Sequence, residues 1–195
     1  MIKRAFDFIS SIMALVLLSP FFVGASILIL LDSKGGVFFK QLRVGKGQDE
    51  FGLFKFRTMR PDSDKIKITV GDRDPRVTPV GYYLRKYKLD ELPQLLNIVL
   101  GDMSVVGPRP EVKQYVDLYT EEQLKVLTVK PGLTDIATLE YVKESELLAQ
   151  SSNPERTYVN EIMPDKLRLN LQYIEQQSFL LDLKLIFKTF ARILK

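Results

Sequence analysis

From Phe8 to Leu31 the chain carries no charged side chain, and Asp7 and Asp32 bracket the run. An apolar stretch of about 20 residues reaches across the hydrocarbon core of a bilayer, so the pattern predicts a membrane helix here. Pro20, preceded by Ser19, falls near the middle of the run. Proline removes a backbone donor and crowds the carbonyl one turn back, so the helix bends or breaks at Ser19-Pro20. Two forms fit that break. A kinked helix can cross the membrane if neighbouring groups re-satisfy the freed carbonyls, and a re-entrant, hairpin-like helix can enter and leave by one face. Lys3 and Arg4 before the run, and Lys34 and Lys40 after it, lean towards the second, because basic flanks on both sides suit two cytoplasmic ends. A cleaved signal peptide is the weaker alternative: the run is long for one and no small-x-small cleavage site follows it.

The far end, Ser178 to Lys195, repeats at helical spacing, with Leu180, Leu183, Phe187, Phe190 and Leu194 on one side and Lys184, Lys188, Arg192 and Lys195 around the rest. Such a basic amphipathic helix can lie in the membrane interface; an ordinary core-covering terminal helix has the same pattern. Between the two ends, short β-like runs occur at Val37 to Gln41 and Phe51 to Met59, with Gly45, Gly47 and Gly52 as turn residues. Arg60 to Pro79, rich in Asp, Lys and Pro, reads as a long surface loop with the mobility of a lid. Periodicity and end signals predict helices at Val80 to Tyr87, Asp90 to Leu100, Glu111 to Tyr119, Glu121 to Leu127, Glu144 to Gln150, Pro154 to Met163 and Pro164 to Gln177. The expected fold class is α/β (α+β): a mostly helical single domain with a short β element. It divides into an N-terminal membrane helix at 1-34 and a cytoplasmic catalytic domain at 35-195.

Composition narrows the chemistry. At 195 residues, 46% of them hydrophobic, the chain supports one domain with a sizeable core. It contains no Cys and no His, which excludes disulfide frameworks, thiolate nucleophiles, Cys/His zinc sites and His-centred triads. Carboxylates, hydroxyls, Lys and Arg must carry any reaction. A net charge of +4 favours phosphates or an anionic surface without choosing between them.

The densest chemistry lies from Leu84 to Gly101. Asp90 reads as a helix N-cap, Pro93 falls in the first turn and Gly101 is a natural stop. A helix N-terminus favours the charged forms of Asp90 and Glu91. With Arg85, Lys86 and Lys88 just upstream, the pair could hold a divalent cation and a phosphate together. The plain alternative is that Asp90 is only a cap and Glu91 only a first-turn acid. Further on, Gly107-Pro108-Arg109-Pro110 fixes the backbone around an arginine suited to bidentate phosphate binding. Lys55 and Arg57 alternate with Phe54, Phe56 and Met59, so a strand would turn both cations to one face, either towards phosphate or simply to solvent.

With these segments in view, the chain resembles the bacterial sugar transferase family, small monotopic phosphoglycosyl transferases acting on polyprenyl phosphate. The resemblance covers nearly the whole length. It rests on the apolar stretch broken at Ser19-Pro20, KFRTM at Lys55 to Met59, LDELPQLLNIVLGDMSVVGPRP at Leu89 to Pro110, KPGLT at Lys130 to Thr134, and SFLLDLKLIFKT at Ser178 to Thr189. The long central motif is specific enough to set aside the plain reading of Asp90. The resemblance implies a re-entrant helix with both ends in the cytoplasm, in the bacterial inner membrane, and an active site at the membrane face. It implies that Asp90 is the nucleophile, attacking the β-phosphate of a UDP-sugar, releasing UMP and holding a phosphosugar until polyprenyl phosphate takes it. Glu91 is then associated with Mg²⁺, shared in part with Asp90, and Arg109 with phosphate; Lys55, Arg57 and Arg85 are the further phosphate-binding candidates by their own placement in the sequence. The implied partners are a UDP-sugar, polyprenyl (undecaprenyl) phosphate and membrane lipid, with no part for nucleic acid and a homodimer possible.

The chain departs from the commoner family pattern after KPGLT, where Asp135-Ile136-Ala137-Thr138-Leu139-Glu140 replaces an Asn-Gly-Arg-containing element. That leaves the nucleotide and sugar contacts of 135-153 open, and the chain has the look of the minimal form of the family. Two rival functions are weaker. A Mg²⁺-dependent glycosyltransferase releasing UDP would use a DxD-like motif, which Asp72-Arg73-Asp74 matches by letter. A membrane-anchored scaffold would not need Asp90.

Overall fold

The computed structural model describes residues 2–60 and 74–193. Ile2–Leu17 (α1) and Ser19–Asp32 (α2) meet at Leu18, where the axis bends by 61°. The bend follows from Pro20, whose ring nitrogen cannot donate to the carbonyl of Val16. The Ser19 hydroxyl donates to that carbonyl instead, at 2.8 Å, so the break leaves no orphaned acceptor there. Among the described residues no single helix is long and apolar enough to cross a membrane; α1 and α2 satisfy length and composition only together, across the bend.

A β-hairpin follows, Phe38–Val44 (β1) antiparallel to Glu50–Phe56 (β2), with Phe38 opposite Phe56 and Val44 opposite Glu50. Gly45 and Gly47 lie in its turn, Gly47 at φ +71. Gly52, expected in a turn, is inside β2 opposite Leu42, where a Cβ would strike the Lys40 side chain. Pro79–Lys86 (α3) starts at a Thr78 N-cap that accepts from the Gly81 N–H. The single helix expected over Asp90 to Leu100 is divided: Leu89–Glu91 is a 3₁₀ turn, and the α-helix runs only over Gln94–Leu100 (α4). Pro93 fixes the junction as the residue before α4, and neither segment has a side-chain N-cap, so Asp90 is not the cap expected of it. Gly101, at φ +99, stops α4 as predicted.

Ser104–Val106 (β3) pairs in parallel with Gly132–Thr134 (β4). Between them, Lys113–Val116 (α5) and Glu121–Leu124 (α6) are much shorter than the helices predicted there. The first tightens into 3₁₀-type bonds from Leu118 to Tyr115 and Tyr119 to Val116. Ile136–Glu140 (α7), Glu144–Gln150 (α8) and Pro154–Thr157 (α9) follow. A π-turn at Tyr158–Ile162 joins α9 to Met163–Glu175 (α10), and Phe179–Ile193 (α11) ends the described chain. The fold is mostly helical with a small β element, as expected. Most of the Arg60–Pro79 loop, with Asp72 and Arg73, lies outside the described residues, as do Leu194 and Lys195; Asp74 pairs with Arg76 at 2.5 Å.

α1 and α2 pack on the rest of the chain. Ala14, Leu15 and Leu18 meet Leu53, Leu95, Ile98 and Met103, while Ala25 and Ile29 meet Phe56 and Leu84. Within the α1 interface, Asp7 accepts from the Ser104 hydroxyl at 2.7 Å and the Val105 N–H at 3.2 Å. The outer faces of both helices, with Met13, Leu17, Val23 and Leu31, are exposed. On α11, Leu181, Leu185 and Ile186 cover the core, as the plain reading of that helix expects, while Leu180, Phe187 and Phe190 are exposed.

The β3–β4 pair leads directly to the candidate site and depends on two glycines. A Cβ on Gly132 would lie 2.1 Å from the backbone nitrogen of Gly107, and backbone cannot swing aside as a side chain can. Gly132→Ala is expected to destabilise the fold by about 3 kcal/mol, read as a fall in the thermal midpoint by circular dichroism.

Candidate active site

Three elements converge on Glu91. The 3₁₀ turn before α4 carries it inward, next to Asp90. β2 brings Lys55, whose Nζ lies 3.4 Å from Glu91 Oε1. The Pro108–Pro110 turn after β3 brings Arg109. Its Nη1 donates to Glu91 Oε2 at 3.1 Å and its Nη2 to Oε1, a two-pronged contact that a planar guanidinium makes well. The prolines hold the Arg109 backbone, as the sequence predicts.

Asp90 is placed differently. It is 7% exposed, and its carboxylate accepts no hydrogen bond among the described residues. Burial, then the negative charge of Glu91, pushes its carboxyl above the usual range, opposed by Lys55, Arg85 and Lys88. Burial acts against the charge of Glu91 too, but Arg109 and Lys55 outweigh it and hold that carboxyl well below the usual range. Burial lowers the Lys55 ammonium despite Glu91, and Glu91 raises the Arg109 guanidinium despite burial. Neighbouring carboxylates are thus driven apart, one strongly ionised and locked, the other more basic and open.

The remaining predicted cations divide. Arg85, on α3, acts on Asp90 through its charge. Arg57 does not join Lys55: β2 ends at Phe56, and the guanidinium turns to the end of α2, donating to the carbonyls of Ser33 and Lys34 at 2.7 Å and of Ile29 at 3.3 Å. It caps the helix C-terminus, a favourable place for a cation. Arg43 was not singled out in the sequence. It donates to Glu111 Oε1 at 3.0 Å and to the Pro110 carbonyl at 3.2 Å, bracing the turn that carries Arg109. Nothing in the sequence around it is distinctive: Arg43 stands between two apolar residues, Leu42 and Val44. Asp135, the first residue of the divergent stretch, is buried as the N-cap of α7, bonded to the Thr138 N–H and hydroxyl. Burial raises its carboxyl, and its charge also acts on Arg109.

Among the described residues no group of three or more Asp, Glu, His or Cys could enclose a metal ion. Mg²⁺ is commonly held by one or two carboxylates, the other positions going to water and phosphate oxygens, so a two-carboxylate site suits it in kind. In this arrangement the open donor is Asp90, because both Glu91 oxygens accept from Arg109.

Comparison with known proteins agrees with this motif. The bacterial sugar transferase profile matches residues 1–195, and the chain belongs to that family and is a transferase. It is 36% identical over 197 residues to the UDP-N-acetylgalactosamine-undecaprenyl-phosphate N-acetylgalactosaminephosphotransferase of Aeromonas hydrophila, covering 99% of this chain and 44% of that protein. To the exopolysaccharide production protein PSS of Rhizobium leguminosarum bv. phaseoli it is 36% identical over 197 residues, covering 96% of this chain and 92% of that protein. To the UDP-glucose:undecaprenyl-phosphate glucose-1-phosphate transferase of Escherichia coli it is 35% identical over 195 residues, covering 97% of this chain and 39% of that protein. The chain therefore spans less than half of the first and third of these relatives and nearly all of the second.

The opposed environments give two expectations of opposite sign. Glu91→Gln leaves Lys55 and Arg109 without their counter-charge and is expected to destabilise by about 3 kcal/mol, measured by thermal unfolding at pH 7. Asp90→Asn removes a buried carboxylate that is penalised when ionised, so the variant is expected to melt no lower than wild type at pH 7. A raised folded pKa makes that penalty full at higher pH and absent once Asp90 is protonated. The difference from wild type should therefore shrink as pH falls through that range.

Proposed function

We propose that this chain transfers a sugar 1-phosphate from a UDP-sugar to polyprenyl phosphate through a covalent phosphosugar on Asp90. The observation that carries the reading is a buried Asp90 that accepts no hydrogen bond among the described residues, beside a Glu91 whose charge is already countered by Lys55 and Arg109. An Asp90 oxygen attacks the β-phosphorus of the UDP-sugar, the bond from that phosphorus to the bridging oxygen breaks, and UMP leaves with the electron pair. A phosphate oxygen of the lipid then attacks the same phosphorus and frees Asp90. The raised pKa suits this role, since a more basic carboxylate is the better nucleophile provided it is ionised when the phosphate arrives.

In this reading Arg109 and Lys55 are the cations that meet the developing phosphoryl charge, with Arg85 acting from α3. Mg²⁺, held by Asp90 and, where Arg109 moves to a phosphate, by Glu91, would screen the diphosphate and stabilise the leaving group. The membrane part of the proposal rests on the exposed outer faces of α1 and α2, the 61° bend and the basic flanks Lys3, Arg4, Lys34 and Lys40. These suit a re-entrant helix in the bacterial inner membrane with the catalytic part on the cytoplasmic side. The exposed stripe and cations of α11 suit the same interface. A two-step route fits substrates from two phases, because the soluble nucleotide leaves before the lipid phosphate enters.

The test is to incubate the detergent-solubilised protein with Mg²⁺, undecaprenyl phosphate and a panel of UDP-sugars, and to assay both UMP and UDP. UMP from one sugar is expected, with Asp90→Asn slower by roughly a thousandfold or more. The acid limb of kcat/KM should lie above the ordinary Asp value of about 3.9, since burial and Glu91 both raise Asp90. UDP as the product, or ordinary turnover by Asp90→Asn, would overturn the mechanism.

A further inference from the structure

Asn97 is fully buried, at 0% exposure, six residues after Glu91 and on the face of α4 that meets β2. Its side-chain oxygen accepts from the Phe54 N–H at 2.9 Å, and its side-chain nitrogen donates to the Gly52 carbonyl at 2.8 Å. These two backbone groups lie on the edge of β2 away from β1, so the carboxamide takes the place that a further strand would occupy. The nitrogen also donates to Asp102 Oδ2 at 3.2 Å. The Asn97 backbone carbonyl meanwhile accepts from the N–H groups of Gly101, Asp102 and Met103, closing α4 into the turn that leads to β3 and Arg109.

One residue beyond Phe54 is Lys55, the cation that reaches Glu91. The Lys55–Glu91 contact therefore joins two segments that Asn97 already fastens together, β2 on one side and the turn into α4 on the other. At 3.4 Å that contact is loose, and a small slide of β2 against α4 would break it. Apolar packing of Leu53 on Leu95 and Ile98 holds the two elements together but does not fix their register; paired hydrogen bonds to successive backbone groups do.

We propose that Asn97 is a positioning residue for the reaction. It sets the register of β2 on α4, and thereby the placement of Lys55 against Glu91. The proposal rests on the phosphosugar-transfer reading for its kinetic consequences, but its geometry stands independently. Asn97→Asp keeps the volume and the bond from Phe54 N–H while setting an oxygen against the Gly52 carbonyl and Asp102. Asn97→Ser loses both strand bonds and serves if Asn97→Asp does not fold.

With a UDP-sugar that yields UMP, the variant is expected to lose roughly tenfold to a hundredfold in kcat, the order that a small misplacement costs, with KM for the sugar nucleotide little changed. Lys55→Met is expected to lower kcat in the same way, and adding the Asn97 substitution to Lys55→Met should lower it no further. Asp102→Asn, which keeps both strand bonds, should leave kcat within about twofold of wild type. An unchanged kcat in the Asn97 variant, or additive effects in the double variant, would overturn the proposal. If wild type releases no UMP from any sugar, the reaction reading fails and the positioning role is decided by stability alone. The coupling between Lys55→Met and Glu91→Gln in thermal unfolding should then vanish in the Asn97→Asp background, and its persistence there would overturn the proposal.

Discussion

Everything around the candidate site depends on keeping the Glu91 carboxylate charged inside the protein. A buried carboxylate is tolerated only when opposite charge and hydrogen bonds replace the water it has lost. Here one lysine and one arginine supply them, from segments 36 and 18 residues away in sequence. Each must be delivered at bonding distance by backbone that cannot drift. The hairpin holds Lys55, two prolines hold Arg109, and the close approach of Gly107 to Gly132 holds the strand from which Arg109 departs. Arg43 braces that turn from the hairpin side, and Tyr158 in turn donates to Glu111, so a second ion pair supports the first.

Asp90 gains less from this. Glu91 takes the contacts of both cations and leaves its neighbour buried beside a negative charge, with Lys55, Arg85 and Lys88 acting on it only through their charge and no hydrogen-bond donor among the described residues. The fold bears an energetic penalty at Asp90 because the rest of the site is over-determined. In the proposed mechanism the nucleophilic carboxylate needs the opposite of what a structural one needs, a raised basicity, and two adjacent carboxylates can serve both needs only where their surroundings differ this much.

Local patterning made much of the fold legible. The hairpin, α3, α8, the break at Ser19-Pro20 and the C-terminal helix follow from alternation, caps, proline and helical spacing, all of which act over a few residues. The failures share a different origin. β4 is three residues long and exists because it pairs with β3, 28 residues earlier; nothing local marks it. Arg57 was grouped with Lys55 on the strength of strand alternation, but β2 ends one residue earlier, and the carbonyls at the end of α2 compete for the guanidinium. Asp90 carried the letters of an N-cap, and Pro93 moved the helix start past it. Glu91 and Arg109 were legible as charged groups in constrained backbone, but their bidentate contact was not, since no sequence spacing encodes it.

The bent helix pair is coupled to the site by contacts of the same kind. Lys3 donates to the Val106 carbonyl at 2.9 Å and pairs with Asp182 at 2.5 Å, and Asp182 also accepts from Tyr173 at 2.6 Å. One lysine near the start of the chain thus ties α1 to α10, to α11 and to the strand leading to Arg109. Arg57 does the same at the other end of the bent pair, joining the end of α2 to the strand that bears Lys55. Each half of the bent helix is therefore fastened near one of the two cations on Glu91: α2 to the residue that follows β2, which carries Lys55, and α1 to Val106, three residues before Arg109. The bent pair thus belongs to the geometry of the site.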